Sequence, residues 1–303
     1  MRSNRPSLTA LRISRSLIFL AQDPAFEPLL PPDAAESTAR LMIAAGKLKP
    51  GHLRLFRKPW LRRWANWMER HQAPGQYLHV GLRKRFLDDE TRDALAAGAT
   101  QVLVVGAGFD TLAQRCAAEF PEVTFVEVDH PGTHAVKRAG IEALGAEYPN
   151  LHLLGVDLAA TPLEEALVTV PGWRRDAVSA VVAEGVLMYF EPAAVSTFLE
   201  TMRDCGAAGS RLLFTYLRRD PTGRLALGKG SSFLEFWLKL MGEPVHWGVR
   251  AGELPEFLEG HGWRLSPPPE RYDLRRRYLE PAGLGAQPLG AIEFVAVAES
   301  LAS

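Results

Sequence analysis

The chain has 303 residues, of which 47% are hydrophobic and 23% are charged, and this composition excludes a mostly disordered protein. Its 26 glycines and 22 prolines follow no period, which excludes a collagen-like or low-complexity chain. The 35 basic residues balance the 35 acidic ones, so no net charge draws the whole molecule to nucleic acid or to a membrane. Two cysteines are too few for a disulfide framework, and no apolar run is long enough to span a membrane, so we expect a cytoplasmic protein.

The first hundred residues have helical patterns and an excess of positive charge. They carry 17 Lys and Arg against 9 Asp and Glu, so this part of the chain differs from the balanced whole. The predicted helices run from Ser7 or Thr9 to Phe19, from Asp33 to Gly46 and from Arg83 to Ala97. We expect residues 1–99 to form a helical lid and substrate region, in which residues 1–50 cover the ligand site.

Beyond residue 100, short apolar β-branched runs alternate with helical patterns. This alternation predicts βαβ units in one parallel sheet that is covered on both faces. The last two apolar runs have no good helix between them, so they predict an antiparallel pair. The predicted strands are 101–105, 123–128, 151–154, 177–183, 211–215, 262–265 and 291–298. Residues 100–303 therefore predict an α/β domain with a seven-stranded, mostly parallel sheet and an antiparallel last strand.

A glycine-rich loop, Gly-Ala-Gly-Phe-Asp at 106–110, follows the first predicted strand. Glycines there let backbone N–H groups approach a ligand, and Asp129 at the end of the second strand is placed to accept hydrogen bonds from ribose hydroxyls. A dinucleotide fingerprint requires a third glycine where this chain has Thr111. The Asp110 carboxylate would repel a pyrophosphate but suits an ammonium or a sulfonium, so S-adenosylmethionine is favoured over NAD. A nicotinamide-dependent oxidoreductase remains the alternative enzyme class.

Three segments and one lysine form a specific combination. The segments are Val-Val-Gly-Ala-Gly-Phe-Asp-Thr-Leu-Ala-Gln-Arg (104–115), Glu-Val-Asp-His-Pro (127–131) and Ala-Glu-Gly-Val-Leu-Met-Tyr-Phe (183–190), and the lysine is Lys137. Together they resemble the leucine carboxyl methyltransferase family, and most closely its bacterial branch of S-adenosylmethionine-dependent methyltransferases. The resemblance extends more weakly to Ser-Leu-Thr-Ala at 7–10 and to Arg-Lys-Arg-Phe-Leu-Asp at 83–88.

The resemblance implies a class I methyltransferase (Rossmann-like) fold, S-adenosyl-L-methionine as cofactor and a set of residues that bind it. The implied set is Gly106, Ala107, Gly108 and Asp110 in the loop, Asp129 at the ribose, Asp157 and Leu158 at the adenine, Glu184 near the methionine ammonium, and Arg83 at the cofactor carboxylate. One position departs from the family, which often has an arginine where this chain has Leu112. That departure puts one salt bridge in question, because Arg115 is retained.

The expected reaction is methyl transfer to an oxygen of a small, secondary-metabolite-like acceptor, which could be anionic; a protein C-terminus is the alternative acceptor. A carboxylate is already a nucleophile at neutral pH and needs no general base. A hydroxyl would need one, and Tyr189 and His246 are the candidate catalytic residues. The eight histidines show no metal-ligand spacing, so no metal site is predicted.

The stretch 40–85 is strongly basic and contains three tryptophans. It has twelve Lys and Arg against one acidic residue, Glu69, so an RNA-binding protein is an available hypothesis. The favoured interpretation is an amphipathic helix whose Trp60, Trp64 and Trp67 face the sheet, because they are spaced i, i+4 and i+7. A third interpretation is a basic lid that attracts an anionic substrate. Neither nucleic acid nor a membrane is expected as a partner.

Overall fold

The computed structural model describes residues 6–158, 161–226, 244–250, 252–290 and 292–301. The helices are α1 (Leu8–Leu20), α2 (Ala34–Ala44), α3 (Pro50–Phe56), α4 (Pro59–Gln72), α5 (Gln76–Ala96), α6 (Leu112–Glu119), α7 (Pro131–Leu144), α8 (Leu163–Val168), α9 (Pro192–Asp204) and α10 (Leu254–Glu259). The strands are β1 (Gln101–Val105), β2 (Thr124–Asp129), β3 (Leu151–Gly155), β4 (Ser179–Ala183), β5 (Arg211–Arg219), β6 (Val249–Arg250), β7 (Trp263–Leu265) and β8 (Glu293–Ser300). Within these ranges no helix combines the length and the apolar character that crossing a bilayer requires.

The strands form one sheet in the order β3-β2-β1-β4-β5-β8-β7. The first five strands are parallel, and β8 runs antiparallel to both β5 and β7. The structure therefore confirms the seven predicted strands and the antiparallel terminal pair. It adds β6, which pairs with the end of β5 and is only two residues long, too short for an apolar pattern to reveal it. From β1 the strand order extends in both directions, to β2 and β3 on one side and to β4 and β5 on the other. Ligands of open α/β sheets bind at such a switch point.

The sheet is buried on both faces, as its continuous apolar strands predict. Every residue of β1 and β4 is buried. Val102 and Val104 point into a core cluster shared with α1, α5 and α6, whereas Leu103 and Val105 point into a cluster shared with α8 and α9. Burial of both faces fixes where the carboxyl ends of the strands lie, and the candidate site lies at those ends.

Helix α5 is longer than predicted and packs inside the domain. It begins at Gln76, seven residues before the predicted start at Arg83, and Gly81 lies in the added turns. A Cβ on Gly81 would lie 2.6 Å from the side chains of Leu20 and Leu30, so glycine there permits close packing of α1 and its following turn against α5. Fourteen residues of α5 are buried, among them Arg83 and Glu90.

The N-terminal helices lie over the carboxyl ends of β1 and β2. The Ser7 hydroxyl caps α1 by accepting from the backbone N–H of Ala10 at 3.1 Å, which confirms the predicted start of that helix. The backbone N–H of Ser7 donates to the Thr133 hydroxyl at 3.2 Å, which ties α1 to the first turn of α7. Asp33 precedes α2 as predicted, but its side chain makes no capping bond because its backbone is left-handed, with φ of 59°.

The prediction that the three tryptophans of α4 face the sheet is wrong. Trp60, Trp64 and Trp67 are 62%, 53% and 57% exposed. The helix instead turns a polar side toward the protein: Arg62 pairs with Asp23, and the Glu69 carboxylate accepts from the Tyr77 backbone N–H at 2.7 Å. The i, i+4, i+7 spacing correctly placed the tryptophans on one helix face, but periodicity alone does not say which face is inside.

Candidate functional site

The loop after β1 has a backbone conformation that requires its glycines. Gly106 and Gly108 have φ of 67° and 55°, in the left-handed region that favours glycine. A Cβ on Gly106 would lie 2.5 Å from Val186 Cγ2, so this position also needs the space. The Gly106 N–H donates to the Val128 carbonyl at 2.8 Å, which holds the loop against the end of β2.

The Asp129 carboxylate organises the loop from the neighbouring strand. Its Oδ2 accepts from the Gly108 N–H at 2.5 Å, and its Oδ1 accepts from the His130 N–H at 2.6 Å. Burial raises the pKa of Asp129, although these two backbone hydrogen bonds act in the opposite direction. Each carboxylate oxygen has a second lone pair, so Asp129 can accept from a ligand hydroxyl while it holds the loop.

A cluster of charged side chains borders the loop. Arg83 is 1% exposed. Its Nε donates to Glu184 Oε1 at 2.8 Å, and its Nη1 donates to Glu293 Oε2. The neighbouring Lys84 donates to Glu184 Oε2 at 3.0 Å and pairs with Asp110. Two cations from α5 thus bind three carboxylates that come from the glycine loop, the end of β4 and the start of β8.

The charges in this cluster stabilise one another. Burial alone would raise the pKa of Asp110, but the Lys84 ammonium and Arg115 hold that pKa well below its usual range. Burial alone would lower the pKa of Lys84, and the carboxylates of Asp110 and Glu184 raise it instead. With every group counted at its formal charge, the two cations of this cluster face three anions, so these five side chains carry one negative charge in excess. Arg115 and Lys137, which also lie beside Asp110, are each paired with a further carboxylate, Asp88 and Glu127.

The N-terminal helices close over this cluster. A crevice of about 20 Å³, the room of about one water molecule, lies between the loop and the helices. Leu17, Pro31 and Thr38 line it from the N-terminal side, opposite Gly106 and Glu184. This crevice is far smaller than a nucleoside.

The predicted adenine-side residues lie at the same edge of the sheet. Asp157 and Leu158 follow β3, and the Val156 N–H donates to the Asp129 carbonyl at 2.9 Å, which ties the end of β3 to the end of β2. Asp157 is exposed, while Leu158 is half-buried against the core. The structure therefore brings both residues to the strand end beside Asp129.

The position that departs from the family pattern is part of the core. Leu112 is 5% exposed at the start of α6, and its backbone N–H donates to Asp110 Oδ1 at 2.6 Å. Arg115, one turn later, binds Asp88 and donates to the Pro32 carbonyl at 3.2 Å. Asp88 thus pairs with Arg115 and, on its own helix, with Arg92. The Arg115 side chain ties α6 to α5 and to the segment before α2.

The two predicted catalytic residues lie beyond β4, on the other side of the cluster. Tyr189 ends a short 3₁₀ turn (Leu187–Tyr189), and the His246 N–H donates to the Met188 carbonyl at 2.8 Å. His246 Nδ1 lies 2.9 Å from Glu191 Oε1. The two residues are therefore close to one another, but neither lines the crevice at the glycine loop.

Histidine side chains have structural contacts near the site. His130 caps α7, because its Nδ1 accepts from the Gly132 N–H at 3.3 Å. In the part of the chain that the structure describes, no three His, Cys, Asp or Glu side chains are grouped so as to hold a metal ion.

Three residues of the cluster were not predicted from the sequence. Lys84 was treated as part of a basic surface run, and Glu293 was treated as part of an apolar strand. Thr215 donates to Glu293 Oε1 at 2.8 Å and accepts from the Gly185 N–H at 2.7 Å, so it ties β5 to the loop after β4. Glu293 could have been recognised from the sequence, because a carboxylate in an otherwise apolar strand needs a buried partner.

The part of the chain that contains the glycine loop matches a known protein family. The sequence model of the family described as "Leucine carboxyl methyltransferase" matches residues 10–203. This range includes the glycine loop, Asp129, Asp157 and Glu184, and it covers well over half of the chain.

Bacterial relatives have the same description in each case, "Putative S-adenosyl-L-methionine-dependent methyltransferase". One from Streptomyces coelicolor is 32% identical over 192 residues, which cover 62% of this chain and 62% of that protein. One from Mycolicibacterium gilvum is 31% identical over 220 residues, 66% of each chain. One from Mycolicibacterium smegmatis is 30% identical over 195 residues, 63% of this chain and 62% of that protein. The matches thus span less than two thirds of these relatives.

Solved structures show the fold. A protein from Thermobifida fusca described as a "putative methyltransferase" has a TM-score of 0.55 at 19% identity, over 92% of this chain and 98% of that one. A DUF574 family protein from Streptomyces avermitilis has a TM-score of 0.53 at 14% identity, over 88% and 98%. These similarities confirm the class I methyltransferase fold.

Proposed function

Because the chain belongs to the leucine carboxyl methyltransferase family, we propose that it transfers a methyl group from S-adenosyl-L-methionine to an oxygen of a small organic acid or alcohol. The observation that carries the proposal is the charged cluster beside the glycine loop. Its excess negative charge matches a ligand that brings positive charge, as the ammonium and sulfonium of this cofactor do. A pyrophosphate would bring two further negative charges to the same place, so the cluster disfavours a nicotinamide dinucleotide.

In this proposal, different residues of the site bind different parts of the cofactor. Gly106 and Gly108 present backbone to the methionine part, where Ala107 also keeps the loop small. Asp129 accepts from the ribose hydroxyls. Asp157 and Leu158 border the adenine, and Glu184 attracts the ammonium, as the charge of the cluster requires. When bound, the cofactor supplies an electrophilic methyl group on its sulfonium.

Arg83 has a more specific position than the family resemblance implies. Two of its five N–H groups are bonded to Glu184 and Glu293, and its side chain is almost completely buried. In this position the guanidinium orients both carboxylates. Its remaining N–H groups are hydrogen-bond donors of the kind that a cofactor carboxylate accepts from. We therefore propose that Arg83 positions Glu184 as well as binding the cofactor.

The favoured acceptor is a carboxylate. It is ionised at neutral pH, so the protein must only orient it and exclude water from the transfer. The helices that lie over the carboxyl ends of β1 and β2 exclude water in this way. A hydroxyl acceptor would require a base; His246, whose ring lies beside Glu191, and Tyr189 are the candidates for that reaction. The carboxyl group of a protein C-terminus is the alternative acceptor.

Binding of the cofactor product tests the proposal directly. Calorimetry should show that S-adenosylhomocysteine binds and that NAD does not. Glu184→Gln removes one charge from the cluster and should weaken this binding by about tenfold to a hundredfold. Glu142→Gln, which changes an exposed carboxylate on α7, is the matched control and should bind as the wild type does. Tight NAD binding without a response to S-adenosylhomocysteine would overturn the assignment.

The acceptor class is tested by the lability of the product. With methyl-labelled cofactor and pools of small acids or alcohols, a methyl ester releases labelled methanol in mild base, whereas an ether does not. We expect base-labile label from the acid pool. Label that resists base, and is lost in His246→Ala or Tyr189→Phe, would instead assign a hydroxyl acceptor.

A further inference from the structure

Helix α4 exposes a continuous aromatic face that the proposed reaction does not use. We define the Trp face as Trp60, Trp64 and Trp67, each more than half exposed. The ring of His71, one turn beyond Trp67, packs against it with centroids 4.8 Å apart. Soluble proteins seldom leave three neighbouring tryptophans in water, so a contiguous face of this kind indicates an interaction surface.

The Trp face points away from the protein because the opposite side of α4 is attached to it. Arg62 pairs with Asp23, and Glu69 accepts from the Tyr77 N–H. At about 100° per residue, these two anchors lie roughly opposite the tryptophans around the helix axis. None of the residues of α3 or α4 is buried. The face is therefore presented outward by a helix that is held in place.

Positive charge surrounds the Trp face. Residues 50–72 contain six Lys and Arg and one acidic residue, Glu69, which belongs to the attached side. Arg63 and Arg70 are exposed and flank the tryptophans along one edge. The positive charge of this segment is therefore local, because the compensating acidic residues of the chain lie elsewhere.

We propose that the Trp face binds the surface of an anionic lipid bilayer. Tryptophan rings favour the headgroup level of a membrane, and arginines beside them attract anionic lipid. The surface is convex and formed by one helix, whereas a single-stranded nucleic acid needs a groove that follows its backbone. A second copy of the chain would place like charges opposite each other across a two-fold axis. Lipid is the occupant that matches both the apolar rings and the charge.

Vesicle sedimentation tests this proposal, and it does not depend on the methyl transfer. The full chain should bind phosphatidylglycerol vesicles, bind phosphatidylcholine vesicles weakly, and release the former as salt is raised. The triple variant W60A/W64A/W67A should lose binding with an unchanged melting temperature, because no buried side chain is altered. R63Q/R70Q should weaken binding to the anionic vesicles on the order of tenfold or more.

Matched controls and alternatives make the test decisive. R138Q/R174Q removes two exposed arginines outside α4 and should leave binding unchanged. Absence of binding to phosphatidylglycerol vesicles would overturn the proposal, as would equal binding by W60A/W64A/W67A. Salt-dependent retention on RNA without vesicle binding would assign the face to nucleic acid, and a dimer that only the triple variant abolishes, again without vesicle binding, would assign it to a second copy.

Discussion

Asp129 has two tasks at the residue level, and variants separate them. Asp129→Ala removes both the acceptor for the loop N–H groups and the acceptor for ribose, so we expect a loss of about 1–3 kcal/mol in affinity for S-adenosylhomocysteine. Asp129→Asn keeps one acceptor oxygen for the loop and should lose less. Calorimetry measures both; wild-type affinity in Asp129→Ala would show that this carboxylate only holds the loop.

His79 makes the stability of the fold sensitive to acid. Burial, with the charge of Arg83 second, lowers the pKa of His79 to about 3. Below its ordinary pKa of 6.5 the unfolded chain takes up a proton that the folded chain does not, so stability falls by about 1.4 kcal/mol per pH unit until the pH nears 3.

The corresponding variant is His79→Leu. Between pH 6.5 and 4.5 it should lose about 2 kcal/mol less of its free energy of unfolding than the wild type does, as measured by denaturant titration. His71→Leu alters an exposed histidine and should follow the wild type. Equal acid sensitivity of all three proteins would show that His79 does not control it.

The sequence predicted individual site residues where they end a strand. Asp129 follows from the strand pattern, whereas Asp157 and Glu184 were implied by the family resemblance. All three lie at the carboxyl ends of strands, because a strand end is a local property. Lys84 and Glu293 were missed because their partners are distant in sequence: Lys84 pairs with Asp110 and Glu184, and Glu293 pairs with Arg83. A charge on a helix or at the start of a strand acquires its function only when tertiary packing brings its partner to it.

At the level of elements, the glycine loop is tested by one pair of variants. Gly106→Ala places a Cβ against Val186, while Gly46→Ala has the same φ of 67° and nothing within 4 Å. Both substitutions strain the backbone by about 1–3 kcal/mol, so a larger fall in melting temperature for Gly106→Ala reports the contact.

The contact can also be relieved. Adding Val186→Ala to Gly106→Ala should recover the difference between the two glycine variants and part of the affinity for S-adenosylhomocysteine. If the two single variants melt alike and bind alike, the space at Gly106 is not required by the loop.

Helix α4 shows where prediction of elements stops. Its existence and the common face of its tryptophans follow from spacing, which any helix imposes on its sequence. The direction of that face follows from Asp23 and from the Tyr77 N–H, which lie on other elements. The predicted start of α5 was also wrong, since the helix includes Gly81, which packs against Leu20 and Leu30 of the N-terminal segment.

For the whole molecule, the predicted role of the N-terminal helices as a lid is tested by hydrogen exchange. We expect hydrogen exchange of the α1 amides to be faster than that of β1 without ligand, and to slow when S-adenosylhomocysteine is added. β1 is fully buried and serves as the internal control. Unchanged exchange in both α1 and α2 on ligand binding would show that the cofactor enters without movement of these helices.

The alternation of strands and helices was sufficient to predict the parallel sheet. Each crossover helix brings the chain back to the end of the sheet at which the previous strand began, so the next strand runs parallel to it. The sequence did not predict how the N-terminal helices pack against the rest of the domain. Leu17 and Leu20 share a core cluster with Leu82 and Val104, so these helices pack with the sheet in one apolar interior. Sequence separation hides such a cluster, since its members are brought together only by the complete fold.

Helix α5 has a consequence for how the chain is made. Its buried Arg83 pairs with Glu293, which lies 210 residues later, and its fully buried Glu90 pairs with Arg271 and Arg277. A buried charge without its partner is strongly unfavourable. Before the last part of the chain is synthesised, Arg83 has Glu184 as a partner but not Glu293, and Glu90 has neither Arg271 nor Arg277. We therefore expect α5 to reach its full stability against the sheet only late in translation, when the C-terminal residues that neutralise its buried charges have been added.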